Sequence, residues 1–167
     1  MPLPHDPTQV PGEAPRRQPW VRRIVIISAG FLFLIFAAIM IPCFVDSRTA
    51  ANESSAVGSL RTVANAQNSF SKEHPDKDFA TSLGELGPPP GDNQIDSALA
   101  SGAKSGYVFT FNPGSPDSSG RRTKYAVTAQ PRTFEKTGDR SFFVDESGLI
   151  RYTIENRPAT AADPPLQ

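Results

Sequence analysis

The sequence contains one cysteine and two histidines among its 167 residues. A single cysteine excludes an internal disulfide, and it excludes any zinc site built from several cysteines of one chain. The 17 basic residues balance the 17 acidic ones. The chain therefore lacks the excess positive charge by which most nucleic-acid-binding proteins hold phosphates, and we expect no nucleic-acid partner.

The sequence also has few motifs that carry chemistry. It has no glycine-rich phosphate loop, no paired-cysteine motif and no nucleophile elbow. The pair Ser101 and Lys104 matches the pattern Ser-x-x-Lys, but it lies in a glycine-rich loop without the companion motifs of enzymes that use it. A hydrolase would depend on this pattern alone. We expect a solvated loop here and no enzymatic activity.

No metal or cofactor site is expected from the spacing of the ligand-type residues. His74 has no second histidine at helical spacing, so it is interpreted as a capping or surface residue. The acidic residues of the central region lack the spacing of a twelve-residue calcium loop and are interpreted as solvated charges. They are Asp76, Asp78, Asp92 and Asp96.

The run from Ile24 to Val45 contains no charged side chain. As a helix it would extend about 33 Å, which is enough to cross a hydrocarbon core of about 30 Å. We therefore predict a transmembrane helix over residues 24–45. The alternatives are a cleavable secretory signal, although its apolar region is normally only about 7–15 residues long, and a buried core helix.

Charges around this run predict its orientation. Four arginines precede it, whereas Asp46 and Arg48 roughly cancel after it. By the positive-inside tendency, residues 1–23 stay in the cytoplasm and the rest of the chain is exported. The topology-setting residues are Arg16, Arg17, Arg22 and Arg23.

Both ends of the chain are rich in proline, and both are predicted to be disordered. They are the cytoplasmic tail of residues 1–23 and the C-terminal tail of residues 156–167. Between them, residues 46–155 are predicted to form one globular domain that begins with a helix over 46–74. Its apolar stripe recurs every three to four residues: Val57, Leu60, Val63 or Ala64, Gln67 and Phe70. His74-Pro75 should end this helix.

After a loop-like stretch over 73–94, the pattern changes to the period of two that is typical of strands. Four short antiparallel strands are predicted between residues 106 and 154, with a tight hairpin turn at Asp145–Gly148. A sheet this small needs an apolar partner on one face, and the stripe of the 46–74 helix is available. The predicted fold class is α+β: a long N-terminal helix, transmembrane and then amphipathic, packed on about four strands.

This plan and several stretches of sequence resemble type IV pilins and the pseudopilins of type II secretion over residues 24–152. The strongest stretch is Ile41–Thr62, where the membrane half of a pilin helix passes through a proline into the globular domain. Similar stretches are Phe79–Leu83, Leu86–Pro88, Ile95–Ser97, Ser105–Phe109 and Arg140–Gly148. The resemblance implies a pilin-like fold in the bacterial inner membrane, with pilin-like subunits or secretion and pilus assembly proteins as partners.

The sequence departs from that family at the processing site. With Pro42 on the family's helix proline, Trp20 stands in place of the glycine before the cleavage bond. Val21 then takes the place of the first mature phenylalanine, and Val25 that of the glutamate that neutralises a neighbouring subunit's amine. We therefore expect that the N-terminal tail is not cleaved. The protein would then stay in the inner membrane or join an assembly only at one end, and it would not be a major filament subunit.

The predicted function is that of a single-pass, pilin-like structural or assembly protein that acts through subunit association. In the bilayer, small residues would allow close helix packing beside the proline. The alternative is a membrane-tethered binding domain that recognises a ligand through the loops 75–94 and 112–123. The residues predicted to anchor and pack the helix are Ala29, Gly30, Ala37, Ala38 and Pro42.

Overall fold

The computed structural model describes the chain from residue 19 to residue 167, apart from the side chains of residues 19, 21–22, 34 and 36–46. The chain divides into two units, one ending at Pro42 and the other comprising Cys43–Gln167. Helix α1 runs from Pro19 to Glu73, α2 from Leu83 to Leu86 and α3 from Ser97 to Ala100. The strands are β1 (Ala103–Lys104), β2 (Tyr107–Pro113), β3 (Tyr125–Pro131), β4 (Ser141–Asp145) and β5 (Arg151–Thr153).

The five strands form one antiparallel sheet in sequence order, β1-β2-β3-β4-β5. The sequence pattern predicts about four strands, and the additional strand is β1. The two residues between β1 and β2, Ser105 and Gly106, both have positive φ, at 48° and 75°. Two such residues make the tight turn whose twist suits a two-stranded hairpin, so β1 folds back directly on β2.

The second half of α1 packs on this sheet, as the spacing of its apolar residues predicts. Leu60, Val63 and Phe70 are buried in the same core cluster as the inward-facing residues of the sheet. On the sheet side this cluster contains Tyr107, Phe109, Tyr125, Val127, Ala129, Phe142 and Val144. The α+β class and the packing of a helix on an antiparallel sheet are therefore confirmed.

The end of α1 and the turn after β4 also agree with their sequence signals. The helix ends at Glu73, immediately before the His74-Pro75 pair. In the β4–β5 turn, the amide of Gly148 donates to the carbonyl of Asp145, and Gly148 has a φ of 71°. Glycine adopts this conformation without steric cost.

The region 75–94 is more ordered than a loop. Within it, Ser82 caps α2 by accepting a hydrogen bond from the amide of Glu85, and Leu83 and Leu86 are buried. The buried side chain of Gln67 on α1 accepts a hydrogen bond from the amide of Ala80 and donates to its carbonyl. Gln67 thus satisfies the backbone of a segment that passes through the core, where unpaired polar groups are costly.

The C-terminal segment 156–167 differs from the expected disordered tail. The amide of Tyr152 donates to Pro164 and the amide of Leu166 donates to Ile150, so the segment lines the free edge of β5. Ala159 is buried, and Arg157 forms two hydrogen bonds to the carboxylate of Asp163. Prolines are tolerated at a sheet edge because their missing N–H is not needed for pairing, so a proline-rich composition does not prevent this arrangement.

A partly buried ion pair joins α1 to the chain just before β4. The carboxylate of Glu53, which is 7% exposed, accepts hydrogen bonds from the amides of Asp139 and Arg140 at 2.8 and 3.1 Å. It also accepts from the Arg140 guanidinium at 2.8 Å through Nε and 2.7 Å through Nη2. The carbonyl of Arg140 in turn accepts the hydroxyl of Tyr107. Glu53 therefore fixes the chain just before β4 to the helix.

We predict that Glu53→Gln lowers the free energy of unfolding by about 2 kcal/mol. The amide keeps one acceptor oxygen and replaces the other with an NH2 donor, so either the two backbone amides or the Arg140 guanidinium loses its acceptor. The measurement is denaturant unfolding of the full chain in detergent, followed by the near-ultraviolet circular dichroism of the buried tyrosines. Glu146→Gln is the matched control, since Glu146 is exposed in the β4–β5 turn. Equal stability of the two variants would contradict the role given to Glu53.

The Arg157–Asp163 pair predicts a pH dependence. The hydrogen bond from Arg157 holds the pKa of Asp163 well below its usual 3.8. The stability contributed by Asp163 is therefore fully present above that value and is lost as the pH falls through the lowered pKa. We expect Asp163→Asn to lower the midpoint of thermal unfolding at neutral pH, with the difference from wild type shrinking below pH 3.8. A difference that does not change with pH would exclude this linkage.

Candidate functional site

The first half of α1 presents an unusual surface. Between Trp20 and Ile35, each large apolar side chain that the structure describes is exposed by between 42% and 70%. Four of them, Ile24–Ile27, are consecutive, and at 100° per residue they point to all sides of the helix. A helix that is apolar all round normally lies inside a large protein core or in a membrane. These side chains are Trp20, Ile24, Val25, Ile26, Ile27, Phe31, Leu32, Phe33 and Ile35.

The residues predicted to anchor and orient this helix are described only in part. Arg23, Ala29 and Gly30 are exposed on α1, and a side chain at Gly30 would meet open space. Arg16 and Arg17 lie outside the described residues, as does the rest of the predicted tail up to residue 18. The side chains of Arg22, Ala37, Ala38 and Pro42 also lie outside them.

Among the described residues, no helical stretch has the length and hydropathy that a membrane crossing requires. The run from Ile24 to Val45 includes eleven positions, 34 and 36–45, whose side chains lie outside the described set.

The Ser101–Lys104 pair is not arranged for catalysis. The ammonium of Lys104 lies 2.6 Å from a carboxylate oxygen of Asp96, and the hydroxyl of Ser101 donates to the carbonyl of Ala98. Asp96 also caps α3 by accepting from the amide of Leu99. The hydrogen bond from Lys104, followed by that from Leu99, lowers the pKa of Asp96. The Lys104 ammonium therefore pairs with the Asp96 carboxylate, and no contact with Ser101 positions it as a base there.

The fold connects the loops 75–94 and 112–123, which the alternative prediction makes a binding surface. The amide of Phe79 donates to the carbonyl of Arg122, and the amide of Arg122 donates to that of Lys77. Loop 112–123 is held in shape by Asp117, whose carboxylate accepts from Ser119 and from the amide of Arg121. Those contacts, first the one from Ser119, lower the pKa of Asp117. Residues 77–79 and 122 thus belong to one surface.

A three-residue cluster lies where α1 ends. The Nε2 atom of His74 is 2.8 Å from a carboxylate oxygen of Asp92, and the carboxylate of Glu73 completes a group whose ligand atoms all lie within 4.8 Å of one another. The sequence alone does not indicate this cluster, because Asp92 is distant along the chain and reaches His74 only through the fold of the 75–94 region. The only sequence signal is the adjacent pair Glu73-His74 before a proline.

No protein family, no curated protein and no solved structure matches this chain.

Proposed function

We propose that this chain is a single-pass, membrane-anchored, pilin-like structural or assembly protein that acts through subunit association and not through catalysis. The observation that carries the proposal is the exposure of apolar side chains on all sides of α1 between Trp20 and Ile35. Soluble monomers rarely expose a contiguous apolar patch larger than a few hundred Å². Lipid, or the apolar helices of other subunits in lipid, would cover this surface.

The sequence around α1 supports the inner membrane as the location of the protein. The uncharged run continues to Val45, and Arg16, Arg17, Arg22 and Arg23 precede or begin α1. In this orientation the N-terminus is cytoplasmic, while the sheet and the second half of α1 lie outside the cytoplasm. The pilin-like assignment draws support from the resemblance over residues 24–152 and from the packing of α1 on an antiparallel sheet.

Subunit association would take place through the small-residue positions of the anchor. The small residues of this segment would allow neighbouring helices to approach closely, so that van der Waals packing between the helices holds them together in the bilayer. They are Ala29, Gly30, Ala37 and Ala38. Because no prepilin cleavage site is recognisable around Trp20 and Val21, the arginine-containing tail would remain attached. Charges of that kind are costly inside an apolar filament core.

A second candidate function is a membrane-tethered extracytoplasmic binding domain. The observation in its favour is the backbone pairing of Arg122 with Lys77 and Phe79, which joins the loops 75–94 and 112–123. In this case the anchor would only tether the domain, and the ligand would bind to the combined loop surface.

We predict that the full chain remains in the membrane fraction after extraction at alkaline pH and that it keeps its N-terminal tail. Its measured mass should correspond to the entire chain, or to the chain without Met1. A soluble protein after extraction would contradict the anchor. A mature chain that begins at Val21 would contradict the absence of processing and would favour a filament subunit.

We predict that Gly30→Leu and Ala37→Leu weaken association between two differently tagged copies in the membrane about tenfold, the effect of losing about 1.4 kcal/mol of helix packing. Quantitative co-purification from mild detergent measures this effect. Ile27→Leu is the matched control, because it changes shape without adding volume on the same helix.

The two candidate functions differ in their response to a second change. If subunit association is the function, replacing residues 114–123 by a glycine-serine linker leaves co-purification unchanged. If the linker variant loses association while Gly30→Leu and Ala37→Leu retain it, the extracytoplasmic binding domain is the better description.

A further inference from the structure

The cluster at the end of α1 has the composition and spacing of a metal site. It offers one imidazole nitrogen, His74 Nε2, and the carboxylates of Glu73 and Asp92. A zinc ion with bonds of about 2.1 Å holds its ligand atoms about 3.4 Å apart in a tetrahedron. The 2.8 Å separation of His74 from Asp92 and the 4.8 Å limit for the whole group bracket that value.

Two of the three ligands are already held in place by the fold. The amide of His74 donates to Phe70, its carbonyl accepts from Lys77 and Asp78, and its ring lies against Phe70 with centroids 4.3 Å apart. The amide of Asp92 donates to the carbonyl of Glu85 at 2.8 Å. Binding an ion would therefore require only small movements of side chains, chiefly of the flexible Glu73.

The charges of the cluster favour a cation. Glu73 and Asp92 bring two carboxylates close together, and neither forms an ion pair with a lysine or arginine within the described part of the chain. Glu73 is also the last residue of α1. The carbonyl groups at a helix C-terminus carry partial negative charge, which disfavours a carboxylate and favours a positive ion there.

We propose that Glu73, His74 and Asp92 bind one zinc ion, with a fourth position open to water or to a ligand from a partner. Zinc accepts imidazole together with carboxylate oxygens, whereas calcium and magnesium prefer oxygen ligands alone. The ion would join the end of α1 to the segment that follows α2. This inference does not depend on the proposed function, since it concerns only the contacts of residues 70–95.

The test is calorimetric titration of zinc chloride into the full chain in detergent, freed of metal and of any histidine tag, in a His5→Ala background. We expect one saturable site per chain. His74→Gln should abolish zinc binding. Glu73→Gln should weaken zinc binding about tenfold or more, because even the loss of a residue that only hydrogen-bonds to a metal ligand lowers metal affinity by that amount.

Asp76→Asn is the matched control, because it removes one exposed negative charge two residues from His74 without removing a ligand. Binding that Asp76→Asn weakens as much as Glu73→Gln does would overturn the site, as would the absence of one-to-one binding. If His74→Gln fails to fold, X-ray absorption of the zinc-loaded His5→Ala protein decides. A shell with one imidazole and otherwise oxygen supports the site, and a shell without imidazole overturns it.

Discussion

Burial of one face of α1 against the antiparallel sheet is the interaction on which the rest of the folded unit depends. Fully burying a side chain such as Leu60 or Phe70 stabilises a fold by about 1.5–3 kcal/mol, and the sheet has no other long apolar element to cover it within the described residues. The α2 segment and the β5 edge complete this core rather than form cores of their own. Glu53 adds directional hydrogen bonds to this apolar contact, because its carboxylate accepts from the backbone and from the guanidinium of Arg140 just before β4.

The same helix carries the proposed function in its first half. In the second half of α1, which packs on the sheet, buried residues recur every three to four positions. On the opposite side of the helix Gly58, Asn65 and Lys72 remain exposed. Before Ile35 the apolar character extends to every side of the helix. A surface of that kind is stable only when lipid or other apolar helices cover it. The proposed membrane anchoring and the proposed subunit association therefore both rest on this one physical property.

Much of the folded unit could be predicted from the sequence, because its signals are local. The stripe from Leu60 to Phe70, the helix end before Pro75 and the glycine at 148 each depend on neighbouring residues alone. The remainder depends on contacts between distant residues. Nothing near Glu53 indicates that it will meet Arg140, and nothing near His74 indicates Asp92. The prolines of the segment 156–167 predict disorder, but the free edge of β5 and the Arg157–Asp163 pair hold this segment in place.

The proposed function requires that α1 is covered on all sides in its first half and on one face in its second. Single cysteines placed along α1 in a Cys43→Ser background, and reacted with a water-soluble maleimide in intact membranes, test it directly. We predict no labelling at positions 24–35, labelling at 58, 65 and 72, and none at 60, 63 and 67. Labelling at every third or fourth position between 24 and 35 would contradict it, because that pattern belongs to a helix with one face in water.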